Sequence, residues 1–298
     1  MTLIYEGTDM TPYAEIAECT YTDSAGRCDT LHIALENAEK WDRWKPMVDD
    51  KLEMIHGSIN SGTMYVQNIV PADGTFVLEC ASLPSSAKRK AWASYENMTM
   101  AAIAARCAGE CGMAWMLYGV DGRYRYPYMI RGNTGPIGFL QELAEREGAL
   151  VKSCNGKVSV ISIAEAAKRD PVCRLELSAG QSGITHEKKD GDAWRQLTVV
   201  SGLVQATATD PERENGKSMR VNAPAGDTAI AGRWARNLLN AHNRNLETLS
   251  MQCALDERMR ALACVEVSGG TEMDGSWIVV NAEHDLKDEK SFVKLMRG

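Results

Sequence analysis

Alternation of apolar and polar positions is the main pattern in the first ninety residues. In the segment 29–36 (DTLHIALE), Leu31, Ile33 and Leu35 fall on one face of an extended chain. A period of two predicts a half-buried strand, and turns rich in glycine and proline separate the segments that show it. Further predicted strands in this part are 13–20, 51–56, 63–70 and 75–80.

The pattern becomes helical after a polar connector, SLPSSAKRK, at 82–90. The alanine-rich segment 100–112 predicts a helix, with Thr99 as its N-cap and a glycine at its end. A second helix is predicted at 137–147, where apolar residues recur at helical spacing after Gly135-Pro136 and before another glycine. We therefore expect a helical region in the middle of the chain.

Strands return around and after these helices. WMLYG at 115–119 predicts one strand, and Asn155-Gly156, between two alternating runs, is the strongest hairpin signal in the chain. One more helix is predicted at about 227–243, opened by Gly-Asp-Thr. The other segments predicted to be extended are 173–177, 184–189, 196–208, 247–255, 262–269, 275–287 and 291–297.

These elements predict a strand-rich α+β protein with three domains. We expect an antiparallel β-barrel or sandwich at 1–90 and a small α+β insert at 91–170. A second β domain with one long helix is expected at 171–298. The two β domains are expected to resemble one another, because strands dominate both ends of the chain and helices dominate its middle.

Composition excludes several function classes. The 298 residues are 44% hydrophobic and 24% charged, which is typical of a globular protein. A net charge of −7 argues against stable nucleic-acid binding, which depends on neutralising phosphates. Neither a membrane span nor a signal peptide is apparent, so we expect the chain to be made and folded in a cytosol.

Nine cysteines in a chain without an export signal are expected to be reduced thiols that pack like small hydrophobic residues. Cys107 and Cys111 fall on one face of a predicted helix, a spacing that can begin a metal site. No second pair of compatible ligands lies nearby in the sequence. We therefore predict that both pack against the helix at 137–147, without a metal.

The sequence lacks the usual catalytic motifs. It contains no nucleophile elbow, phosphate-binding loop, dinucleotide fingerprint or zinc-protease motif. Five histidines are widely separated, and His284 points away from Asp285 on a predicted strand. We therefore predict no enzyme activity, no catalytic residue, no cofactor and no metal, and a structural role for His284. The histidines are His32, His56, His186, His242 and His284.

Acidic pairs are the remaining catalytic possibility, because a glycosidase needs two carboxyl groups across a cleft. The dense acidic spots lie in polar runs or on the outer face of a predicted helix, where solvated charge is the simpler interpretation. They are Asp49-Asp50, the set Glu142, Glu145 and Glu147, and Asp288-Glu289.

Aromatic residues are candidates for subunit contacts. GRYRYPYM at 122–129 interleaves arginines with tyrosines, a pattern that suits single-stranded nucleic acid but also an exposed edge or subunit contact. The second interpretation is favoured on an acidic protein. Trp41 and Trp44 are equally compatible with a domain core and with a contact surface. The aromatic candidates are Trp41, Trp44, Tyr124, Tyr126 and Tyr128.

From residue 95 onward, the order of segments resembles the phage late control gene D family, the hub proteins of contractile tails. The first helix, the run FLQELAEREGALVKSCNGKVSV and the later helix GRWARNLLNAHNR match its arrangement. A pattern of Asp274-Gly275, Trp277, Val279 and His284 recurs in that family before a closing strand, here SFVKLMR. The segment CALDERMRALACVEVSGG departs from the family, whose members carry a glycine-rich stretch there.

The resemblance implies a homotrimer around the tail axis, in which six tube-like barrels adapt a sixfold tail tube to a threefold spike. Its implied partners are the tube protein, a separate spike protein and other baseplate proteins, with DNA passing through the channel unbound. The implied location is the baseplate of a virion, bacteriocin or other contractile injection system, assembled in the host bacterial cytoplasm. The alternatives are another baseplate or tail structural component and a tail-associated cell-wall hydrolase.

Overall fold

The computed structural model describes residues 1–36, 38–72, 74–178 and 182–298. Strands are the dominant element in these ranges. The first nine strands are β1 (Thr2–Tyr5), β2 (Thr8–Asp9), β3 (Ile16–Ser24), β4 (Thr30–Glu36), β5 (Lys51–His56), β6 (Ile59–Asn60), β7 (Met64–Ala72), β8 (Thr75–Ala81) and β9 (Ala91–Thr99). The next nine are β10 (Ala114–Tyr118), β11 (Arg125–Thr134), β12 (Ala149–Cys154), β13 (Lys157–Ser162), β14 (Cys173–Glu176), β15 (Ile184–Lys188), β16 (Trp194–Ser201), β17 (Val204–Thr209) and β18 (Lys217–Asn222).

The last four strands lie near the C-terminus, and the helices are short apart from the last. The strands are β19 (Glu247–Ala254), β20 (Cys264–Ser268), β21 (Gly275–Asp285) and β22 (Lys290–Arg297). The helices are α1 (Ala38–Trp44), α2 (Met100–Gly109), α3 (Pro136–Arg146), α4 (Ile163–Ala166) and α5 (Thr228–Asn243).

One large sheet combines the two ends of the chain. Its strand order is β15-β19-β22-β21-β3-β4-β8-β7-β5-β1-β2, with β6, β14 and β20 attached at its sides. The first and last parts of the sequence meet where β21 pairs antiparallel with β3, from Asn281 opposite Ser24 to Asp285 opposite Thr20. Each half has its own hydrophobic core beneath it. The predicted alternation is confirmed in β4, where Leu31, Ile33 and Leu35 are all buried.

The middle of the chain forms the predicted helices and hairpin. Thr99 caps α2 by accepting a hydrogen bond from the backbone N–H of Ala102 at 3.2 Å. Asn155 and Gly156 join β12 to β13 with φ angles of 46° and 68°, the left-handed pair that a tight hairpin turn requires. Strands β10, β13 and β12 make a small sheet, and β9 and β11 form a separate two-stranded ribbon.

Part of the C-terminal third belongs to the core of the middle region. Strands β17, β16 and β18 form a three-stranded sheet under α5. Leu197 and Trp234 of this unit share one hydrophobic cluster with Phe139 and Leu140 of α3. The division of the chain into domains at 90 and 170 stays a prediction, but the cluster shows that residues from 194 to 239 pack with the middle region rather than beneath the large sheet.

The predicted strand-rich α+β class with large antiparallel sheets is confirmed. One local prediction is wrong, and one strand was not predicted. The segment 196–208 is a hairpin rather than one extended run, because Gly202 adopts φ +60° and reverses the chain. Strand β9 was not predicted, although Trp92, Ser94 and Glu96 alternate there with more buried residues.

Candidate assembly surfaces

The described residues show neither a metal-binding group nor a membrane helix. Within those ranges, no three His, Cys, Asp or Glu side chains are grouped to hold a metal ion. No helix there is long and apolar enough to cross a bilayer. The absence of catalytic residues, cofactor and metal stays a prediction, so we consider next the buried polar contacts and the exposed surfaces.

His284 is a buried hydrogen-bonded side chain. Its Nε2 lies 3.1 Å from the carbonyl oxygen of Met259, and its Nδ1 lies 2.8 Å from the hydroxyl of Ser291. A carbonyl oxygen only accepts, so Nε2 donates to it and Nδ1 accepts from Ser291. Burial lowers the pKa of His284, which favours this neutral form. These two hydrogen bonds connect the loop around Met259, between β19 and β20, to β21 and β22. Such a connection agrees with the predicted structural role.

Cys107 and Cys111 pack as predicted. Both thiols are free and buried in the hydrophobic cluster that contains the inner face of α3, and α2 contacts α3 directly. Burial raises the pKa of each thiol to about 11, so both are protonated at neutral pH. The two cysteines therefore pack as core residues, and the absence of a metal at them stays a prediction.

Glu147 overturns the expectation of solvated acidic spots. Its side chain is fully buried at the end of α3, where it forms what we call the Glu147 cluster with Tyr126, Arg233 and Trp234. Arg233 donates two hydrogen bonds to the carboxylate at 2.7 and 3.0 Å, Trp234 Nε1 one at 2.6 Å, and the Tyr126 hydroxyl one at 2.9 Å. The sequence did not predict the burial of Glu147, because Arg233 and Trp234 lie on α5, almost ninety residues further along the chain.

A second buried group joins the large sheet to the middle region. Lys152 on β12 forms ion pairs with Asp23 and Asp29, at 2.8 Å for Asp29. Asp29 also accepts hydrogen bonds from the backbone N–H of Ser24 at 3.2 Å and from the Tyr21 hydroxyl at 3.1 Å. We call Tyr21, Asp23, Asp29 and Lys152 the Lys152 cluster. It holds two carboxylates and one ammonium group, so it carries one excess negative charge when all are ionised.

This excess charge affects the protonation of Asp29. Burial raises the pKa of Asp29 to about 6, although Lys152 opposes the shift. Asp23, the neighbouring carboxylate, raises it further. A cavity of about 540 Å³ borders the cluster and is lined by residues from six parts of the chain, including Lys152, Arg169, Arg260 and His284.

The aromatic candidates divide between core and surface. Trp41 and Tyr126 are each 2% exposed and belong to the cores of the large sheet and the middle region. Trp44 and Tyr128 remain about half exposed, and Tyr124 is partly buried beneath the guanidinium of Arg233. Trp44 and Tyr128 are therefore exposed enough to form a subunit contact. Trp41 and Tyr126 instead stabilise the fold as core residues.

The ribbon of β9 and β11 presents the most exposed tryptophan. Trp92 is 71% exposed, and Tyr128 and Ile130 lie on the same outer face. The ribbon pairs with no further described strand, so both of its edges lie outside a larger sheet. Strand β10 is a second exposed edge, with Trp115, Met116 and Tyr118 partly open to solvent. Trp92 and Trp115 were not predicted as contact residues. Strand β9 was not predicted at all, and β10 was predicted only as a strand.

A third apolar surface lies beside α1. A pocket of about 560 Å³, which we call the N-terminal aromatic pocket, is lined by Met10, Tyr13, Lys40, Trp41, Arg43 and Trp44. The described lining residues include three aromatic rings and two cations. Exposed surfaces of this kind are typical of proteins that bind other proteins.

The fold matches solved tail proteins over almost its whole length. The chain is 13% identical to a tail protein of Neisseria meningitidis, with a TM-score of 0.77 and coverage of 99% of this chain and 95% of that one. A 43 kDa tail protein of prophage MuSo2 from Shewanella oneidensis gives the same identity and TM-score, with 99% and 97% covered. At this identity, the likeness establishes the fold.

Proteins of secretion systems share the fold more distantly. A component of the Escherichia coli type VI secretion system is 9% identical, with a TM-score of 0.55 and coverage of 99% of this chain and 76% of that protein. The VgrG complex with PdpA from Francisella also matches, at 8% identity and a TM-score of 0.55 over 95% of this chain and 54% of that one. Protein-family profiles and curated proteins give no match to the sequence.

Proposed function

We propose that this chain is a structural subunit of a contractile phage tail or a related injection particle, and that three copies form the hub between tail tube and spike. The observation that carries the proposal is the two-way coverage of the fold matches. The match spans 99% of this chain and at least 95% of two phage tail proteins, so it concerns the whole architecture rather than one common domain.

The large sheet supports the adaptor role. It contains an N-terminal half and a C-terminal half, each above its own hydrophobic core, joined through β3 and β21. The proposed role requires the two halves to act as similar units, so that three copies present six of them to a sixfold tube above a threefold spike. A closed ring also requires two different contact surfaces on each chain, because head-to-tail interfaces are heterologous.

The buried clusters support a role that requires mechanical rigidity. The Glu147 cluster joins α3 to α5, and the Lys152 cluster joins the large sheet to β12. Each connects elements that lie far apart in sequence, so relative motion between them breaks several hydrogen bonds made by charged groups. Such connections suit a part that transmits force during tail contraction.

The exposed apolar surfaces support assembly with other chains. The ribbon, β10 and the N-terminal aromatic pocket expose large aromatic side chains at three separate places. A tail hub contacts its own copies, the tube, the spike and other baseplate proteins. The exposed aromatic surfaces can form these contacts. A different baseplate component and a cell-wall hydrolase are the alternative functions.

The test uses tail-like particles purified from the organism that encodes the chain, with a small affinity tag on this subunit. We expect quantitative mass spectrometry to find three copies per particle and gold labelling to mark the baseplate end. Native mass measurement of the isolated chain is expected to give three times the 32.7 kDa subunit mass when partners are not required for assembly.

Two outcomes would contradict the hub. A copy number other than three, or labelling along the tail rather than at its end, would assign the chain to another structural component. Activity on a cell-wall zymogram would support the hydrolase alternative. A monomer in isolation does not contradict the hub, because the copy number in the particle decides the question.

A further inference from the structure

The N-terminal aromatic pocket has the chemistry of a peptide-binding site. Tyr13 is 64% exposed and Trp44 is 45% exposed, which leaves two aromatic rings open around the cavity. The chain after Trp44 adds Met47 and Val48, both of them exposed. A cavity of about 560 Å³ is larger than one small side chain fills, and its open rings suit an extended segment.

The polar groups of the pocket favour a negative partner. Among the described lining residues, the charged ones are Lys40 and Arg43, both of them cations. Lys40 forms an exposed ion pair with Glu15 at 3.4 Å. Arg43 is exposed at the rim of the pocket, where its guanidinium can pair with a carboxylate of another molecule.

Trp41 supplies a second, independent indication. Its indole is 2% exposed, and within the described residues its Nε1 has no hydrogen-bond partner. A buried donor without an acceptor is costly, and native structures rarely retain one without a reason. The centroid of the half-exposed Trp44 ring lies 5.8 Å from that of the Trp41 ring, and both tryptophans line the pocket.

We propose that the N-terminal aromatic pocket binds an extended peptide segment of another protein in which an apolar side chain stands next to a carboxylate. The apolar side chain packs between Tyr13 and Trp44, and the carboxylate pairs with Arg43. A backbone carbonyl oxygen of the segment accepts a hydrogen bond from Trp41 Nε1. This inference concerns a binding site and does not depend on the hub role.

The test titrates the full-length chain with a blocked tripeptide of aspartate, phenylalanine and aspartate. The readout is the indole N–H signal of Trp41 in a nitrogen-15 NMR spectrum, assigned with the variant Trp41→Phe. We expect a saturable shift of that signal. The peptide with asparagine in place of aspartate, and the one with alanine in place of phenylalanine, are both expected to bind more weakly.

Two variants of the pocket test its named contacts. Arg43→Gln is expected to weaken binding about two- to fivefold, the usual effect of one exposed ion pair. Trp44→Ala is expected to weaken it about tenfold or more, because a large aromatic contact is lost. Matched controls outside the pocket are Arg236→Gln and Trp92→Ala, both exposed, and they are expected to bind normally.

Three results would overturn the proposal. The first is the absence of any shift of the Trp41 signal at saturating peptide. The second is equal binding of the aspartate and asparagine peptides together with an unaffected Arg43→Gln variant. The third is loss of self-association in folded Trp44→Ala, which would assign the pocket to a second copy of this chain. Circular dichroism of each variant shows whether it is folded.

Discussion

The Glu147 cluster and the Lys152 cluster both bury charge between distant parts of the chain, but they balance that charge differently. In the first, one carboxylate receives two hydrogen bonds from Arg233 and further bonds from two neutral donors. In the second, two carboxylates share one ammonium group. The first is electrically balanced, whereas the second carries an excess negative charge that a proton can neutralise.

The excess charge of the Lys152 cluster predicts a response to pH. Burial and the neighbouring Asp23 raise the pKa of Asp29 to about 6 against an ordinary value of 3.8. In the Glu147 cluster, by contrast, Arg233 pairs directly with the single carboxylate. We therefore expect the junction of the large sheet with β12 to respond to mild acid.

The largest effect is expected at Glu147. Replacing it with leucine leaves the Arg233 guanidinium, the Trp234 N–H and the Tyr126 hydroxyl without their acceptor. We expect a loss of about 3–5 kcal/mol in the free energy of unfolding, the usual result of breaking a buried ion pair. Urea unfolding at pH 7 measures it, and Glu142→Leu on the exposed face of the same helix is the control. A loss similar to that of the control would contradict the importance of the cluster.

Removal of Lys152 tests the unbalanced cluster. Lys152→Met leaves Asp23 and Asp29 as a pair of buried carboxylates, and at pH 8 we expect a loss of about 3 kcal/mol in the free energy of unfolding. At pH 5, the loss should be smaller, because Asp29 can then take up a proton. Lys157→Met on the neighbouring strand, an exposed position, provides the control. An equal loss at both pH values would refute the proposed charge imbalance.

Asp29→Asn isolates the titrating group. In the wild type, the folded state binds the Asp29 proton more tightly than the unfolded state, so stability falls as pH rises from about 4 to about 6. We expect this slope, on the order of 2 kcal/mol over the interval, to be absent from the variant. Unfolding curves of both proteins at pH 4.5 and 7 test it, since groups outside the Lys152 cluster contribute equally to both. Parallel pH profiles would show that Asp29 does not titrate in this range.

The smallest effect is expected at His284, which borders the same cavity as Lys152. His284→Gln removes its neutral ring from between Ser291 and Met259 and from its stacking with Tyr21. We expect a loss of about 1 kcal/mol in the free energy of unfolding, the value of an ordinary hydrogen bond. Thermal unfolding measures it, with His32→Gln at a more exposed position as the control. Loss of a hydrolytic activity in this variant would instead make His284 catalytic.

The comparison also shows where sequence reasoning succeeds and fails. Alternation located β4, β5 and β8 almost to the residue, because a strand with one buried face needs a period of two. Thr99 and the Asn155-Gly156 turn were identifiable because caps and tight turns depend on local backbone geometry. Glu147 was wrongly predicted to be solvated, because it lies at the end of a helix that is rich in charged residues. Its burial results from the packing of α5 against that end.

The sequence by itself determined the local elements, the strand-rich class and the absence of the usual catalytic motifs, since these follow from periodicity and residue type. Tertiary structure alone decided that β3 pairs with β21, that Trp41 is core while Trp44 is surface, and that Lys152 lies between two aspartates. Each of these depends on which distant segments meet in space. The local pattern does not predict contacts between distant segments, because burial and strand pairing depend on the packing of the whole chain.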